Sequence, residues 1–300
     1  MTETINKRPK ILVLVLSSKT YPSRRNKKAI QKTWAKNNNE NYKILFYESG
    51  NIEKLVNDTL YVEIDTATKN LGQKFLLALE WCSNNVEFDF LFRTNTSSYI
   101  NLTNLENYIS ENISENINIY CGIPMIRDYK SSSEKINFLS GSGFLLNKKL
   151  VSLILENKIN WDHNEWEDVA LGKLMSKLGV PFLMGKTQEI KHNFYDNKID
   201  LTNYHIRCRI DTHYGYPRFL ESKIFYELDR LFKGKKNLKT TNLFNKYIFY
   251  SFKFLRIDNP KFKLYRSIRF LSKKVLPEKI YNFLKKNKPN FLLKFLKERF

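Results

Sequence analysis

Two short runs of apolar residues constrain the fold of this chain more than any other feature. Ile11–Leu16 has six apolar residues in a row, and residues 88–92 have four in five positions. Strands that face water on one side alternate apolar and polar residues, whereas a continuous run is typical of a strand covered on both faces. We therefore expect both runs to be central strands of a sheet with helices on its two faces.

Helical patterns separate these runs from further strand-like segments. A helix is expected over residues 24–35, a second carries an apolar stripe through Leu71, Phe75 and Cys82, and a third spans residues 166–178. Additional strands are expected at residues 43–47, 60–64 and 117–121. This alternation predicts an α/β fold with a mostly parallel sheet flanked by helices.

Ligands of such sheets bind beyond the carboxyl ends of the strands. The polar run at residues 93–98 follows the apolar run at 88–92 directly, so it marks a candidate site by topology alone. Motifs of several other chemistries are absent, including GxGxxG, GxxxxGK[ST], HExxH and GxSxG. The four histidines do not cluster as a zinc site would require.

The positive charge is concentrated at one end of the chain. Residues 231–300 contain 20 of the 51 lysines and arginines and only three acidic residues, so the net charge of +21 lies mainly there. We predict a catalytic domain over residues 1–230, followed by a basic, amphipathic helical extension over residues 231–300. Because the body is nearly neutral, we do not expect nucleic acid as a partner.

Cysteine use favours a reducing compartment. Cys82, Cys121 and Cys208 are odd in number and show no CxxC spacing, so a disulfide framework is not expected. The apolar run after the first basic residues is too short for a secretory signal, and no segment approaches the ~20 apolar residues of a membrane span. We expect a cytoplasmic protein associated peripherally with the inner face of the membrane.

Two adjacent carboxylates open the helix expected at residues 166–178. Glu167 and Asp168 follow Trp166, and acidic residues in a first helical turn often only cap free N–H groups. The alternative is a general base that takes a proton from an attacking sugar hydroxyl. Both interpretations remain open from the residues alone.

Glycine and basic residues supply further candidates. Ser140, Gly141, Ser142 and Gly143 form a small-residue run that would allow close approach of a ligand or form a tight connection between strands. Arg93, His205 and Arg207 could hold a diphosphate through charge-assisted hydrogen bonds or could be ordinary surface residues.

Several short motifs occur in the order that they have in one known superfamily. They are Arg25 followed by Ile30-Gln31-Lys32-Thr33-Trp34, Asn70-Leu71-Gly72-Gln73-Lys74 before Trp81, Arg93-Thr94-Asn95-Thr96-Ser97-Ser98-Tyr99-Ile100-Asn101, Gly122-Ile123-Pro124, Ser140-Gly141-Ser142-Gly143-Phe144, and Glu167-Asp168-Val169. The segment from about residue 10 to 185 thereby resembles the β-1,3-galactosyltransferase and Fringe-like glycosyltransferases.

The resemblance implies a GT-A-like fold and inverting transfer of a hexose or N-acetylhexosamine from a nucleotide sugar, in particular a UDP-sugar, to a glycan or lipid-linked acceptor. It implies Asp168, with Glu167 second, as the catalytic base. The implied donor-binding residues are Arg25, Lys74, Arg93, Asn95, Thr96, Ser97, His205 and Arg207. The implied acceptor-binding residues are Ser140, Gly141, Ser142, Gly143 and Trp166.

The chain departs from this superfamily at its metal site. The relatives carry an acidic triplet that binds a divalent cation and the donor diphosphate, and here the triplet reads Asn95-Thr96-Ser97. Because no carboxylate remains for a hard cation, we expect no metal ligands and no required cofactor. The alternative functions are an inactive sugar- or nucleotide-binding protein and a nucleic-acid-binding protein that acts through the basic extension.

Overall fold

The computed structural model describes residues 8–37, 41–67, 70–114, 117–129, 135–190, 198–210 and 218–234. The basic extension from residue 235 onward lies outside the described residues, so the helices predicted there stay a prediction. No helix in the described ranges is long and apolar enough to cross a membrane.

The described chain consists of strands and helices in alternation, as the apolar runs predict. The strands are β1 (Ile11–Leu16), β2 (Tyr42–Gly50), β3 (Lys54–Val56), β4 (Thr59–Glu63), β5 (Phe90–Asn95), β6 (Ser98–Ile100), β7 (Tyr120–Asp128), β8 (Lys135–Asn147), β9 (Leu183–Met184), β10 (Thr187–Glu189) and β11 (His205–Arg207). The helices are α1 (Ser23–Lys32), α2 (Leu71–Asn85), α3 (Leu102–Asn112), α4 (Lys148–Glu156), α5 (Glu167–Lys177) and α6 (Leu220–Phe232).

Eight of these strands form one sheet in the order β3-β4-β2-β1-β5-β8-β7-β9. Strand β1 lies between β2 and β5 and is parallel to both, which confirms that it is a central strand. Strands β2 and β4 are also parallel, whereas β8 runs antiparallel to both β5 and β7. The α/β fold is therefore confirmed. The sheet is mixed: β4, β2, β1 and β5 are parallel to one another, and the order changes to antiparallel between β5 and β8.

The glycine-containing run at residues 140–143 is not the tight loop that its composition suggested. Gly141 and Gly143 lie inside β8, the longest strand, where Gly143 is opposite Thr94 of β5. A Cβ atom on Gly143 would lie 2.8 Å from Cε1 of His205 and 2.9 Å from Cζ of Phe92. These glycines are required because neighbouring groups approach the strand closely, not because the chain turns.

The chain divides into two compact units. The first unit runs to Glu189 and also includes residues 200–207, so it contains all the described strands and helices α1 to α5. In its core, α2, α4 and α5 pack against the central strands. The second contains residues 190–199 and the chain from Cys208 onward. Within it, Glu221 of α6 accepts hydrogen bonds from the backbone N–H of Ile210 at 3.1 Å and from Nε of Arg218 at 2.7 Å.

A smaller sheet of β10, β11 and β6 adjoins the end of β5. Strand β11 pairs with β10 in parallel and with β6 antiparallel, with His205 opposite Ile100. Since only two residues separate β5 from β6, this sheet fixes the polar segment at the carboxyl end of a central strand. The predicted site segment at residues 93–98 therefore lies at a defined edge of the main sheet.

Close packing of α5 on β8 gives the first prediction. A Cβ atom added to Gly172 would lie 2.5 Å from Cβ of Phe138 and 2.8 Å from the carbonyl oxygen of Asn137. We expect Gly172→Ala to lower the free energy of unfolding by about 1–3 kcal/mol through overpacking, although alanine has the higher helix propensity. Chemical denaturation measures the change.

Ser176→Ala is the matched control, because Ser176 is exposed on the same helix. We expect it to change stability by no more than about 0.5 kcal/mol. A Gly172→Ala protein as stable as the wild type would contradict the packing seen between α5 and β8.

Candidate active site

A buried arginine is the centre of the candidate site. Arg93 lies near the end of β5, with 3% of its surface exposed. Its Nη2 contacts Oε2 of Glu167 at 2.6 Å, Nη1 donates to the carbonyl oxygen of Gly141, and Nε donates to the hydroxyl of Tyr47 at 3.3 Å. One guanidinium thereby joins β5 to β2, β8 and the first turn of α5.

Glu167 is the buried partner of Arg93. Burial is the largest influence on the Glu167 carboxyl and raises its pKa to about 7, while the guanidinium of Arg93 acts in the opposite direction. Its second oxygen, Oε1, is buried and has no hydrogen-bond partner among the described residues. Glu167 therefore holds Arg93 in place with one oxygen and keeps the other available inside the site.

Asp168 differs from its neighbour in exposure and in partners. It is half-buried, and its Oδ2 accepts a hydrogen bond from the backbone N–H of Gly141 at 2.9 Å. Its Oδ1 accepts from the backbone N–H of Val169 at 3.0 Å. Two N–H groups thus orient this carboxylate at the start of α5 while it keeps access to solvent.

Gly141 brings these charged groups together. A Cβ atom at this position would lie 3.0 Å from Oδ2 of Asp168 and 3.3 Å from Nη1 of Arg93. Its backbone oxygen also accepts a hydrogen bond from Nδ2 of Asn95 at 3.2 Å. The absence of a side chain allows β8 to contact the carboxylate and the guanidinium at once.

The segment Asn95-Thr96-Ser97 is held by bonds within the chain. Oδ1 of Asn95 accepts from the N–H of Ser97 at 2.9 Å, and the hydroxyl of Thr96 lies 3.1 Å from that of Ser23 in α1. Thr96 and Ser97 are buried, and Asn95 is half-buried. No group of three or more His, Cys, Asp or Glu side chains suited to a metal ion occurs among the described residues.

Lys74, in the first turn of α2, is a second buried cation near the site. Its side chain is 95% buried, and burial lowers its pKa, while the carboxylates of Glu167, Glu48 and Asp65 act in the opposite direction. It forms no hydrogen bond or ion pair within the described ranges. An ammonium without a fixed partner is suited to a ligand group that arrives from solvent.

His205 and Arg207 of β11, both predicted to bind the donor, already have partners within the protein. His205 is completely buried, its Nε2 lies 3.1 Å from the hydroxyl of Ser98, and burial lowers its pKa to about 3. A neutral imidazole at this position packs between β8 and β6 and presents no charge to a diphosphate. Arg207 is half-buried and forms an ion pair with Glu189 at 3.1 Å.

The predicted acceptor residues divide into buried and exposed members. The hydroxyls of Ser140 and Ser142 are buried and lie 3.0 Å from each other, and the carbonyl oxygen of Ser142 accepts from Thr94 and Ser98. Trp166, immediately before α5, is 56% exposed. Of this set, Trp166 is the member with an aromatic face open to solvent.

A cleft that the sequence did not predict lies beyond the carboxyl end of β1, against β2, β4 and the start of α1. It has a volume of about 310 Å³ and is lined by Ser18, Lys19, Arg24, Lys27, Lys28, Gln31, Glu48 and Tyr61. Arg25, predicted as a donor contact, is half-buried on α1, and its neighbour Arg24 lines the cleft instead. The sequence signal for this cleft was the basic segment at residues 24–28, because it lies at the start of the helix that follows β1.

The buried ion pair gives the second prediction. Arg93→Met removes the cation and leaves the Glu167 carboxylate without its partner, so we expect a loss of about 3–5 kcal/mol in the free energy of unfolding. Arg127→Met is the control, since the Arg127–Glu165 pair spans 3.5 Å and its arginine is 35% exposed. We expect the control to cost no more than about 1 kcal/mol.

The double variant Arg93→Met with Glu167→Leu separates two contributions to the loss of stability: the unpaired charge of Glu167 and the lost packing of the Arg93 side chain. Because the unpaired carboxylate is removed as well, we expect part of the lost stability to return. Equal destabilisation by Arg93→Met and Arg127→Met in urea denaturation would contradict the central role of this pair.

Two solved structures of glycosyltransferases are similar to this chain at low sequence identity. A solved glycosyltransferase involved in the glycosylation of the major capsid of PBCV-1 has a TM-score of 0.43 at 8% identity, covering 72% of this chain and 99% of that chain. A mannosyltransferase from Pyrobaculum calidifontis, solved with GDP-Man and Mn²⁺, has a TM-score of 0.40 at 9% identity, covering 93% and 79%.

Among curated proteins, UDP-GalNAc:beta-1,3-N-acetylgalactosaminyltransferase 2 of Xenopus tropicalis is 23% identical over 133 residues, which are 41% of this chain. The match spans 27% of that relative's length. The family model described as Galactosyltransferase matches residues 23–184, more than half of the chain and the region that carries α1, the Arg93 site and the start of α5. The chain therefore belongs to the galactosyltransferase family.

Proposed function

We propose that this glycosyltransferase moves a hexose or N-acetylhexosamine from a UDP-sugar to a hydroxyl of a glycan or glycolipid acceptor, with inversion at the anomeric carbon. The observation that carries the proposal is the oriented, half-buried carboxylate of Asp168 beside the Arg93–Glu167 pair. The relative from Xenopus tropicalis is named for a UDP-GalNAc donor, which supports a UDP-sugar here.

Asp168 is the base in this proposal. Its carboxylate takes the proton from the acceptor hydroxyl while that oxygen attacks the anomeric carbon, and the nucleoside diphosphate leaves from the opposite face. Glu167 is less suited to contact an acceptor, because it is 96% buried and one of its oxygens is held by Arg93. Glu167 instead fixes the first turn of α5, from which Asp168 projects.

Trp166 is the proposed contact for the acceptor sugar. It directly precedes the two carboxylates, and the residue is more than half exposed. The apolar face of a sugar ring stacks well on an indole. Ser140 and Ser142 are buried and bonded to each other, so they support the site from within β8.

One alternative is a protein that binds a nucleotide or sugar without transfer. It is favoured by the side chains of Asn95 and Thr96, which bond within the chain at the position where the family holds its metal. Two measurements, UDP binding and UDP release from a UDP-sugar, distinguish the transferase from this alternative. An active enzyme releases UDP from a UDP-sugar in the presence of acceptor, or slowly by hydrolysis, whereas the alternative binds UDP with no release.

Replacement of the proposed base gives the third prediction. Asp168→Asn keeps the size of the side chain and one oxygen for the Gly141 N–H, so we expect a folded protein whose turnover falls by about 10²–10⁴. Kinetics and thermal melts on the same preparation separate this from a capping role. Capping alone would lower stability by up to about 2 kcal/mol with near-normal turnover of the folded fraction.

Glu111→Gln is the matched control for this experiment. Glu111 is an exposed carboxylate on α3, away from the residues of the site, and we expect unchanged turnover. Normal activity of Asp168→Asn would contradict its role as the base.

We also propose that residues 231–300 hold the enzyme at an anionic membrane surface on the cytoplasmic side, where a lipid-linked acceptor would lie. The support is the sequence of this extension. Leu264, Ile268, Leu271 and Val275 fall at spacings of four, three and four residues, which is one stripe of a helix. Basic residues flank this stripe, and each cation near such a surface contributes about 1 kcal/mol.

Flotation with vesicles tests this fourth prediction. Full-length protein should float with vesicles that contain phosphatidylglycerol and remain at the bottom with phosphatidylcholine alone. Glutamine at six basic positions of the extension should abolish flotation: Lys261, Lys263, Arg266, Arg269, Lys273 and Lys274. The matched control changes six lysines of the body and should still float: Lys32, Lys36, Lys43, Lys148, Lys149 and Lys177.

Flotation that is indifferent to lipid charge, or equally lost in the control, would contradict the proposal. A nucleic-acid-binding protein that acts through the same extension would instead bind DNA or RNA with a steep salt dependence.

A further inference from the structure

The cleft between the end of β1, the start of α1, β2 and β4 has an excess of positive charge. Four cations line it, Lys19, Arg24, Lys27 and Lys28, against the single carboxylate of Glu48. Glu48 is buried and pairs with Nζ of Lys27 at 2.8 Å, so these two charges offset each other. Lys19, Arg24 and Lys28 form no ion pair with any carboxylate of the described chain.

These three cations are not dispersed over a convex surface. They approach one concave space from the segment that follows β1 and from the first turns of α1, with Tyr61 of β4 as another wall. Nζ of Lys19 lies 5.3 Å from the centre of the Tyr61 ring. Like charges held around a common cleft repel one another unless an anion enters, so the arrangement favours an anionic ligand.

The cleft is connected to the candidate active site by hydrogen bonds within the same compact unit. The hydroxyl of Ser23, at the start of α1, accepts from the N–H of Ser18 at 2.8 Å and lies 3.1 Å from the hydroxyl of Thr96. Lys74 is within electrostatic reach of both Glu48 in the cleft and Glu167 in the site. The cleft therefore adjoins the segment Asn95-Thr96-Ser97 through Ser23.

The residues at the family's metal position do not fit a divalent cation. Asn95 uses its oxygen on the N–H of Ser97 and its amide on Gly141, and Thr96 is bonded to Ser23. Of the two carboxylates in the site, Glu167 is paired with Arg93, whose own positive charge opposes a second cation, and Asp168 accepts hydrogen bonds from the N–H groups of Gly141 and Val169. Hard divalent cations require several oxygen ligands with carboxylates among them, and residues 95–97 supply no carboxylate.

We infer that this chain binds the diphosphate of its nucleotide donor without a divalent cation, and that Lys19, Arg24 and Lys28 supply the positive charge. The inference rests on the proposed function for the identity of the donor. Each phosphate of a nucleotide sugar carries a negative charge, and charge-assisted hydrogen bonds from lysine and arginine can hold it. Because these side chains are solvent-exposed, added salt weakens their contribution.

Calorimetric titration of the full-length protein with UDP, and separately with inorganic pyrophosphate, tests the inference. We expect the dissociation constant for UDP in EDTA to agree with that in Mn²⁺ within about twofold. Arg24→Gln with Lys28→Gln should weaken binding of both probes by at least about tenfold, since each substitution removes a charged hydrogen-bond donor.

Lys32→Gln with Lys36→Gln is the matched control, because it removes two exposed cations of the same region that do not line the cleft. We expect its affinity to match that of the wild type. The inference is overturned if EDTA abolishes binding and Mn²⁺ restores it, if the cleft variant binds like the control, or if neither probe binds.

Transfer assays in EDTA and in Mn²⁺ distinguish this failure from failure of the proposed function. Transfer that requires Mn²⁺ overturns metal independence and leaves the enzyme assignment intact. Metal-independent UDP binding without any transfer supports the cleft and contradicts the proposed reaction.

Discussion

The ion pair between Arg93 and Glu167 organises the carboxyl edge of the sheet. Both side chains are almost fully buried, so each would be costly to hold in the interior without the other. The guanidinium also binds the Gly141 carbonyl and the Tyr47 hydroxyl, so its donors connect β5 to two other strands and to the start of α5. The pair thereby attaches the first turn of α5, which carries Asp168, to the centre of the sheet.

Close backbone approach at β8 makes the pair possible. Gly141 contacts Arg93 through its oxygen and Asp168 through its N–H, and a Cβ atom would crowd both. Two adjacent carboxylates thereby acquire different environments, since Glu167 is directed inward and Asp168 stays half-exposed. Such a division is what allows one carboxylate to support a site while the other meets substrate.

Much of the fold was predictable from the sequence, because burial on both faces leaves a direct trace in apolar runs. Ile11–Leu16 is a central strand with the predicted bounds, and the helix expected at residues 166–178 is α5. The run at residues 140–143 was misinterpreted as a loop, since glycine in a strand and glycine in a turn look alike until the neighbours are known. Those neighbours, Arg93 and His205, are distant in sequence.

The candidate site was predictable only in part. Motif order brought Arg93, Gly141 and Asp168 into one hypothesis, and all three meet in the structure. Complete burial of His205 was not visible, because a lone histidine between Tyr204 and Ile206, close to Arg207, gives no sign of which face it occupies. Glu48 was overlooked for a similar reason, since a single acidic residue at the end of a strand carries no pattern.

The distribution of charge explains how the chain can depart from its family at the metal position and still suit an anionic donor. A site with an acidic triplet needs a cation to bridge protein and diphosphate, because both carry negative charge. Here the triplet position is neutral, and Arg93 and Glu167 offset each other. Lys74 and the cleft then add positive charges, against the carboxylate of Asp168. A diphosphate would then meet side-chain cations directly. In the proposed binding mode, the loss of the acidic triplet removes both the metal ligands and the negative charge that a metal would offset.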